Sequence, residues 1–309
     1  MPPLTSYTIK LTDAQFERIR LDLHERGFTF REVPYAHFGA SKDKLQVTAF
    51  QSGKLLAQGK GVEEFVQFYL EPEILKEARL GYEHVHDPTI LEPRIGVDES
   101  GKGDFFGPLV IAGVFLSRPA IDALRGSGVR DSKTVTSDNK IFELAKLIRK
   151  APGCIVELVS IGPKAYNELY VKMGNVNKML AWGHARVIEN ALAAVEKRGD
   201  KCARAVADQF GDKRLIENAL MTRGKAIKLV QRHKAESDLA VAAASIMARD
   251  GFVRGLAALG KEFDIKLPKG ASNLVDEAGR EFLKKHGQEK LGDVAKVHFR
   301  TTQKISQPL

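Results

Sequence analysis

Apolar residues along this 309-residue chain recur in two regimes that change over near residue 93. In the first, Tyr7 to Leu11 alternates as a short strand, and Thr12 then stands as an N-cap before Phe16, Ile19 and Leu23, which share one helical face. Gly27 ends that helix. Phe28–Val33, Tyr35–Phe38, Leu45–Phe50 and Lys54–Gln58 follow as short strands, with turns expected at Gly39 and Ser52-Gly53, and a helix runs from Val62 to Leu70. The expectation is a small α+β domain over residues 1–75. Pro72, Pro88 and Pro93 then punctuate a stretch whose residues 76–93 read as a linker. His84 and His86 lie in it without a third ligand at metal spacing and read as surface residues.

From Arg94 to the end, residues 94–309, the pattern becomes mixed α/β. Ile95-Gly96-Val97 runs into Asp98-Glu99, a glycine-rich turn carrying Lys102 follows, and a second strand continues through Leu116, giving a hairpin with acid at its tip. Ser137 precedes a helix with Ile141, Leu144, Ala145 and Ile148 inward. Cys154 to Ile161 is a strand, and a helix containing Tyr166 and Tyr170 comes next. Asn175 to Glu196 forms a longer helix with Met179, Leu180, Ala185, Ile188, Leu192 and Val195 on its apolar side. A strand from Cys202 ends at Asp208, another covers Ala226 to Val230, and Asp238 opens a small-residue helix from Leu239 to Arg249.

Charge narrows the partner classes. The net charge is +9, and residues 1–77 hold 10 Lys/Arg against 11 Asp/Glu, so residues 78–309 carry the whole excess with 38 against 28. A basic surface favours polyanions through counterion release, which puts nucleic acid first, although a merely solvated charged surface fits the same numbers. Between residues 33 and 61, Lys42, Lys44, Lys54 and Lys60 face only Asp43, so the first domain is expected to show a basic sheet face. Cys154 and Cys202 read as free buried thiols of a reducing compartment. With no signal pattern and no long apolar run, the expected setting is the cytoplasm, away from membranes.

The acids set the chemistry. Asp98 and Glu99 alternate across a strand, so they serve one site only if the chain bends, and Gly101 and Gly103 permit a bend. Carboxylates beside the exposed N–H groups of a tight turn suit a divalent cation and its phosphate, yet Asp, Ser and Gly also make ordinary turns. Asp208 ends a strand where α/β sheets hold ligands, whereas Asp238 at a helix start is equally explained by capping. Asp131-Ser132-Lys133 offers a hydroxyl and an ammonium or an ordinary turn. Asn175, Asn177 and Lys178 offer backbone contacts or a helix cap. Asp104, Asp131 and Glu236 compete with the four acids. Four converging carboxylates would hold two magnesium ions, which suit phosphodiester hydrolysis.

Gly96-Val97-Asp98-Glu99-Ser100-Gly101-Lys102-Gly103, Phe106-Gly107-Pro108-Leu109-Val110, Asp131-Ser132-Lys133, Asp208-Gln209-Phe210 and Ala242-Ala243-Ala244-Ser245-Ile246 together resemble the type-2 ribonuclease H family. Gly-Lys-Gly in place of Gly-Arg-Gly, and an N-terminal extension of roughly 90 residues, resemble its bacterial ribonuclease HIII branch. The resemblance implies a ribonuclease-H-like mixed sheet with flanking helices, preceded by a small α+β domain similar to a TATA-binding-protein repeat that grips the duplex. It implies cleavage of the RNA strand of RNA/DNA hybrids to 3′-hydroxyl and 5′-phosphate ends by a monomer. Two ions, Mg2+ or Mn2+, would sit on Asp98, Glu99, Asp208 and Asp238, with Asp98 bridging them. Ser100, Gly101, Lys102 and Gly103 would face the ribose 2′-hydroxyl, and Ser132, Lys133, Asn175 and Asn177 the substrate. Cleavage at single embedded ribonucleotides and hybrid binding without catalysis remain alternatives.

Overall fold

The computed structural model describes residues 4–77, 79, 88–130, 132–135, 137–232 and 235–307. The chain forms two compact units, Met1–Ile90 and Leu91–Leu309. Much of the expected linker, including His84 and His86, lies outside the described residues.

In the first unit, strands β1 (Ser6–Lys10), β2 (Thr29–Arg31), β3 (Ala36–Lys42), β4 (Leu45–Phe50) and β5 (Lys54–Gly59) form an antiparallel sheet in the order β1-β5-β4-β3-β2. Thr12 and Gln15 close a capping box at the start of the Asp13–Glu25 helix, which stabilises it by about 1 kcal/mol. That helix buries Phe16, Ile19 and Leu23 with Val47, Ala49, Leu55 and Ala57 in one core. Each large side chain so buried contributes roughly 1.5–3 kcal/mol. Helix Val62–Phe65 continues as the π-helical segment Val66–Leu75.

Two expectations for this unit change. Gly39 sits inside β3, paired with Arg31 and Thr48, and the turn falls at Asp43, whose φ is 53°. Strand alternation leaves Ser6, Thr8, Gln46, Thr48, Gln58 and Arg31 on the open side of the sheet. Lys10 and Lys54 pair on the same side, so it combines hydroxyl and amide groups with Arg31 and two lysines, whereas Lys44 lies in a turn and Lys42 donates to Arg26 O.

The second unit contains a mixed sheet in the order β10-β9-β6-β7-β8, formed by β6 (Arg94–Ser100), β7 (Leu109–Leu116), β8 (Cys154–Ile161), β9 (Arg204–Asp208) and β10 (Lys228–Arg232). Helices cover both faces, as the α/β reading requires. Val176–Arg198 packs with Ile95, Val97 and Ile111 on one side, while Leu239–Glu262 and Asp138–Lys150 pack with Ala112, Val114 and Leu116 on the other. Gly96 permits the closest approach: a Cβ there would lie 2.0 Å from the Ala240 carbonyl carbon. The run of small residues after Asp238 thus sets the helix directly on β6. Cys154 and Cys202 are free and half-buried, and burial pushes the Cys154 thiol up to about 12. Among the described residues, no helix is long and apolar enough to cross a membrane.

Candidate active site

Strand β6 stays extended through Ser100, and the chain turns only at Gly101, where φ is +92° and a Cβ would stand 2.1 Å from Pro108 O. The bend expected between the acids is therefore absent, and alternation sends the two carboxylates toward different helices. Gly103 is not needed by the turn, since a Cβ there would meet nothing within 4 Å.

Asp98 turns toward the Leu239–Glu262 helix. Its Oδ1 accepts from Glu99 N at 2.8 Å, and Ser245 bonds its side chain. Burial first, and then the Glu99 charge, raises the Asp98 carboxyl from 3.8 to about 6, against the hydrogen bonds and the Lys133 charge. Ser245 belongs to the small-residue run but is not an expected site residue; with Asp250 it is one of two buried polar residues on this otherwise apolar helix. Its Oγ also lies 2.8 Å from Ser132 Oγ and accepts from Ser132 N, so Ser132 reaches Asp98 through it.

Glu99 turns toward the Val176–Arg198 helix, where His184 Nε2 lies 3.0 Å from its Oε2. Burial would raise this carboxyl, but the His184 hydrogen bond and charge, then Lys102 and Lys133, hold it below its ordinary value. His184 was also missed. Its signal was a histidine one turn from Leu180 and Ile188 in a buried apolar stripe. Lys102 Nζ stands 3.8 Å from Glu99 Oε1 and 5.5 Å from the Phe210 ring centre. Lys102 and Lys133 are exposed, and Ser100 is half-buried at the strand end.

Asp208 lies one residue beyond Ala207, which pairs in parallel with Val97, so Asp208 at the end of β9 is level with Asp98, two residues before the end of β6. Ala205 and Ala207 pack toward Val176–Arg198 and Val206 toward Val241, so Asp208 shares the Asp98 face. Its Oδ1 accepts from Ala235 N at 3.4 Å.

Asp238 is placed elsewhere than expected. Both of its oxygens accept from Arg94 Nε, at 2.9 and 2.8 Å, and Oδ1 also caps the helix by accepting from Ala240 N. Arg94 is 2% exposed and lies four residues back along β6, about 13 Å from Asp98 at strand rise. The Asp238 carboxylate is thus held by the buried Arg94, and the half-exposed Arg232, which pairs with Asp208 in the sheet, stands 3.8 Å from it. Glu236, by contrast, sits half-buried in the short 3-10 turn Ala235–Ser237, which starts on Asp208.

Asn175 caps its helix, its Oδ1 accepting from Asn177 N at 2.7 Å. Asn177 is half-buried beside it, and Asp131 lies outside the described residues. Among the described residues, no three His, Cys, Asp or Glu side chains are already gathered closely enough to hold a metal ion. The donor set is nevertheless all carboxylate oxygen, with one acid ionising reluctantly, which is the chemistry a hard divalent cation relieves.

A family model described as Ribonuclease HII matches residues 95–302, and one described as a domain of unknown function matches residues 6–79. Ribonuclease HIII of Protochlamydia amoebophila is 44% identical over 306 residues, covering 99% of this chain and 97% of that protein. Ribonuclease HIII of Chlamydia pneumoniae is 42% identical over 307 residues, 99% of each. The crystal structure of Bst ribonuclease HIII in complex with Mn2+ has a TM-score of 0.67 at 28% identity, covering 97% of this chain and 98% of that one. Ribonuclease H3 of Aquifex aeolicus has a TM-score of 0.53 at 26% identity, covering 94% and 99%.

Proposed function

Because the chain belongs to the ribonuclease HII family, in its ribonuclease HIII branch, we propose that it hydrolyses the RNA strand of RNA/DNA hybrids at a two-ion site formed by Asp98, Glu99, Asp208 and Glu236. The observation that carries this reading is the pair Asp98 and Asp208, level with each other on one face of neighbouring strands. Glu236 replaces Asp238 because its turn begins on Asp208, whereas Asp238 is held by Arg94. The Mn2+ complex of the Bst relative supports a divalent ion here, and Mg2+ fits the same oxygens. When bound, such ions activate the attacking water and neutralise the leaving 3′-oxygen.

The chain's own groups position the substrate. Asp98 and Asp208 present carboxylate oxygens on one side of the sheet end, and Glu99 closes the site from the other. The backbone at Gly101, Lys102 and Gly103 faces the ribose 2′-hydroxyl, which separates RNA from DNA. Lys102 and Lys133 neutralise the two acids and become phosphate contacts when metal takes that task. The open side of the first unit's sheet, with its hydroxyl and amide groups, Arg31, Lys10 and Lys54, grips the duplex without chemistry. A labelled RNA/DNA hybrid incubated with Mg2+ or Mn2+ tests the reading. The protein cuts it to 3′-hydroxyl ends, and Asp98→Asn or Asp208→Asn lowers kcat by about 1000-fold, several kcal/mol. Binding of the hybrid without cutting in either metal refutes catalysis.

A further inference from the structure

The Val176–Arg198 helix buries eleven residues, and His184 is the one titratable side chain among them, fully excluded from solvent between Leu180 and Ile188. Burying an imidazole in an apolar stripe costs stability unless its polar atoms are used, and a leucine would fill the same space without that cost. One ring nitrogen is used. Nε2 meets Glu99 Oε2 at 3.0 Å, while Nδ1 has no partner among the described residues. An ionised carboxylate only accepts, so Nε2 carries the proton of this contact.

The ring is held from a second side. Phe210, two residues past Asp208, meets it edge to face with centroids 5.0 Å apart, and the same phenyl lies 5.5 Å from Lys102 Nζ. Lys102 Nζ in turn stands 3.8 Å from the other Glu99 oxygen, Oε1. His184, Glu99, Lys102 and Phe210 therefore close a small circuit. It joins the helix, the end of β6, the glycine turn and the segment after Asp208.

We propose that His184 is a positioning residue: its Nε2–H, donated to Glu99 Oε2 from beneath β6, fixes the carboxylate so that Oε1 faces the cation. This rests on the reading of Glu99 as a metal ligand. A carboxylate held through one oxygen loses the rotamer freedom that metal binding would otherwise have to remove, and outer partners of this kind are worth 10–100-fold in metal affinity. The role is distinct from core filling, because it requires a donor at one height rather than volume.

The test is a Mn2+ titration of the full chain, following the electron paramagnetic resonance signal of free Mn2+, for the unmutated protein, His184→Phe, His184→Gln and His184→Asn. Melting temperatures and hybrid cleavage are measured alongside. His184→Phe binds Mn2+ 10–100-fold more weakly, its kcat recovers as Mn2+ is raised, and KM for the hybrid is unchanged. His184→Gln, whose amide reaches Glu99, restores most of the affinity, whereas the shorter His184→Asn does not. If His184→Phe fails to fold, the Gln and Asn pair decides alone. Equal Mn2+ affinity in the folded variants and the unmutated protein overturns the proposal and leaves the metal site standing. Absence of Mn2+ binding by the unmutated protein overturns the metal site and this proposal with it.

Discussion

The hairpin tip and the segment from Asp208 to Asp238 both deliver acids to the second unit, yet they hold them by opposite means. At the tip, Asp98 and Glu99 take hydrogen bonds from Ser245 and His184, each on a different helix, and the lysines acting on them, Lys102 and Lys133, are exposed. At the other segment, Asp238 is neutralised by a buried arginine and used as a cap. A carboxylate met by a hydroxyl, an imidazole and movable lysines stays open to a metal ion. One fixed by a buried guanidinium does not, because breaking such a pair strands a buried charge. The partner, rather than the acid, assigns the role.

Substitution at the two competing acids separates these roles most widely. Glu236→Gln lowers kcat by about 1000-fold in a hybrid cleavage assay while leaving the melting temperature close to that of the unmutated chain. Asp238→Asn does the reverse: it strands Arg94, costs about 3 kcal/mol in denaturant unfolding, and leaves kcat per folded molecule nearly intact. A smaller effect is expected at the tip's support. Ser245→Ala removes the link between Asp98 and Ser132 and weakens Mn2+ binding by about 10-fold, read by calorimetry.

The remaining effect is in pH. Asp98 ionises near 6 in the fold and near 3.8 in the unfolded chain, so the folded state binds more protons between those values. Without metal, this acid therefore makes stability fall as pH rises from about 4 to 6, and Asp98→Asn removes that slope. Metal needs the ionised form, so Mn2+ affinity falls by about tenfold per unit as pH drops below 6 and levels above it. A flat Mn2+ affinity from pH 5 to 7 contradicts the assignment.

Local signals were legible in the sequence wherever one short segment supplies both cause and effect. Thr12 and Gln15 box the first helix, Phe16, Ile19 and Leu23 share its buried face, and the strand from Cys154 to Ile161 appears as read. The mixed sheet and the family followed from ordered motifs. What stayed hidden depends on partners far along the chain. Arg94 and Asp238 are 144 residues apart, and His184 and Glu99 are 85 apart, so no spacing rule connects them. Gly39 was misplaced because glycine signals a turn locally, whereas here it lies inside a paired strand. The extended backbone through Ser100 likewise follows from pairing with β7, which keeps Glu99 opposite Ile111.

The central claim is that Asp98, Glu99, Asp208 and Glu236 hold the ions while Asp238 stays with Arg94. A crystal soaked in Mn2+ and measured at the manganese absorption edge tests it most directly. The account predicts anomalous peaks at the shared end of β6 and β9, within about 2.0–2.4 Å of oxygens from those four carboxylates, with the Arg94–Asp238 pair intact. A peak coordinated by Asp238, released from Arg94, with Glu236 pointing to solvent, contradicts it.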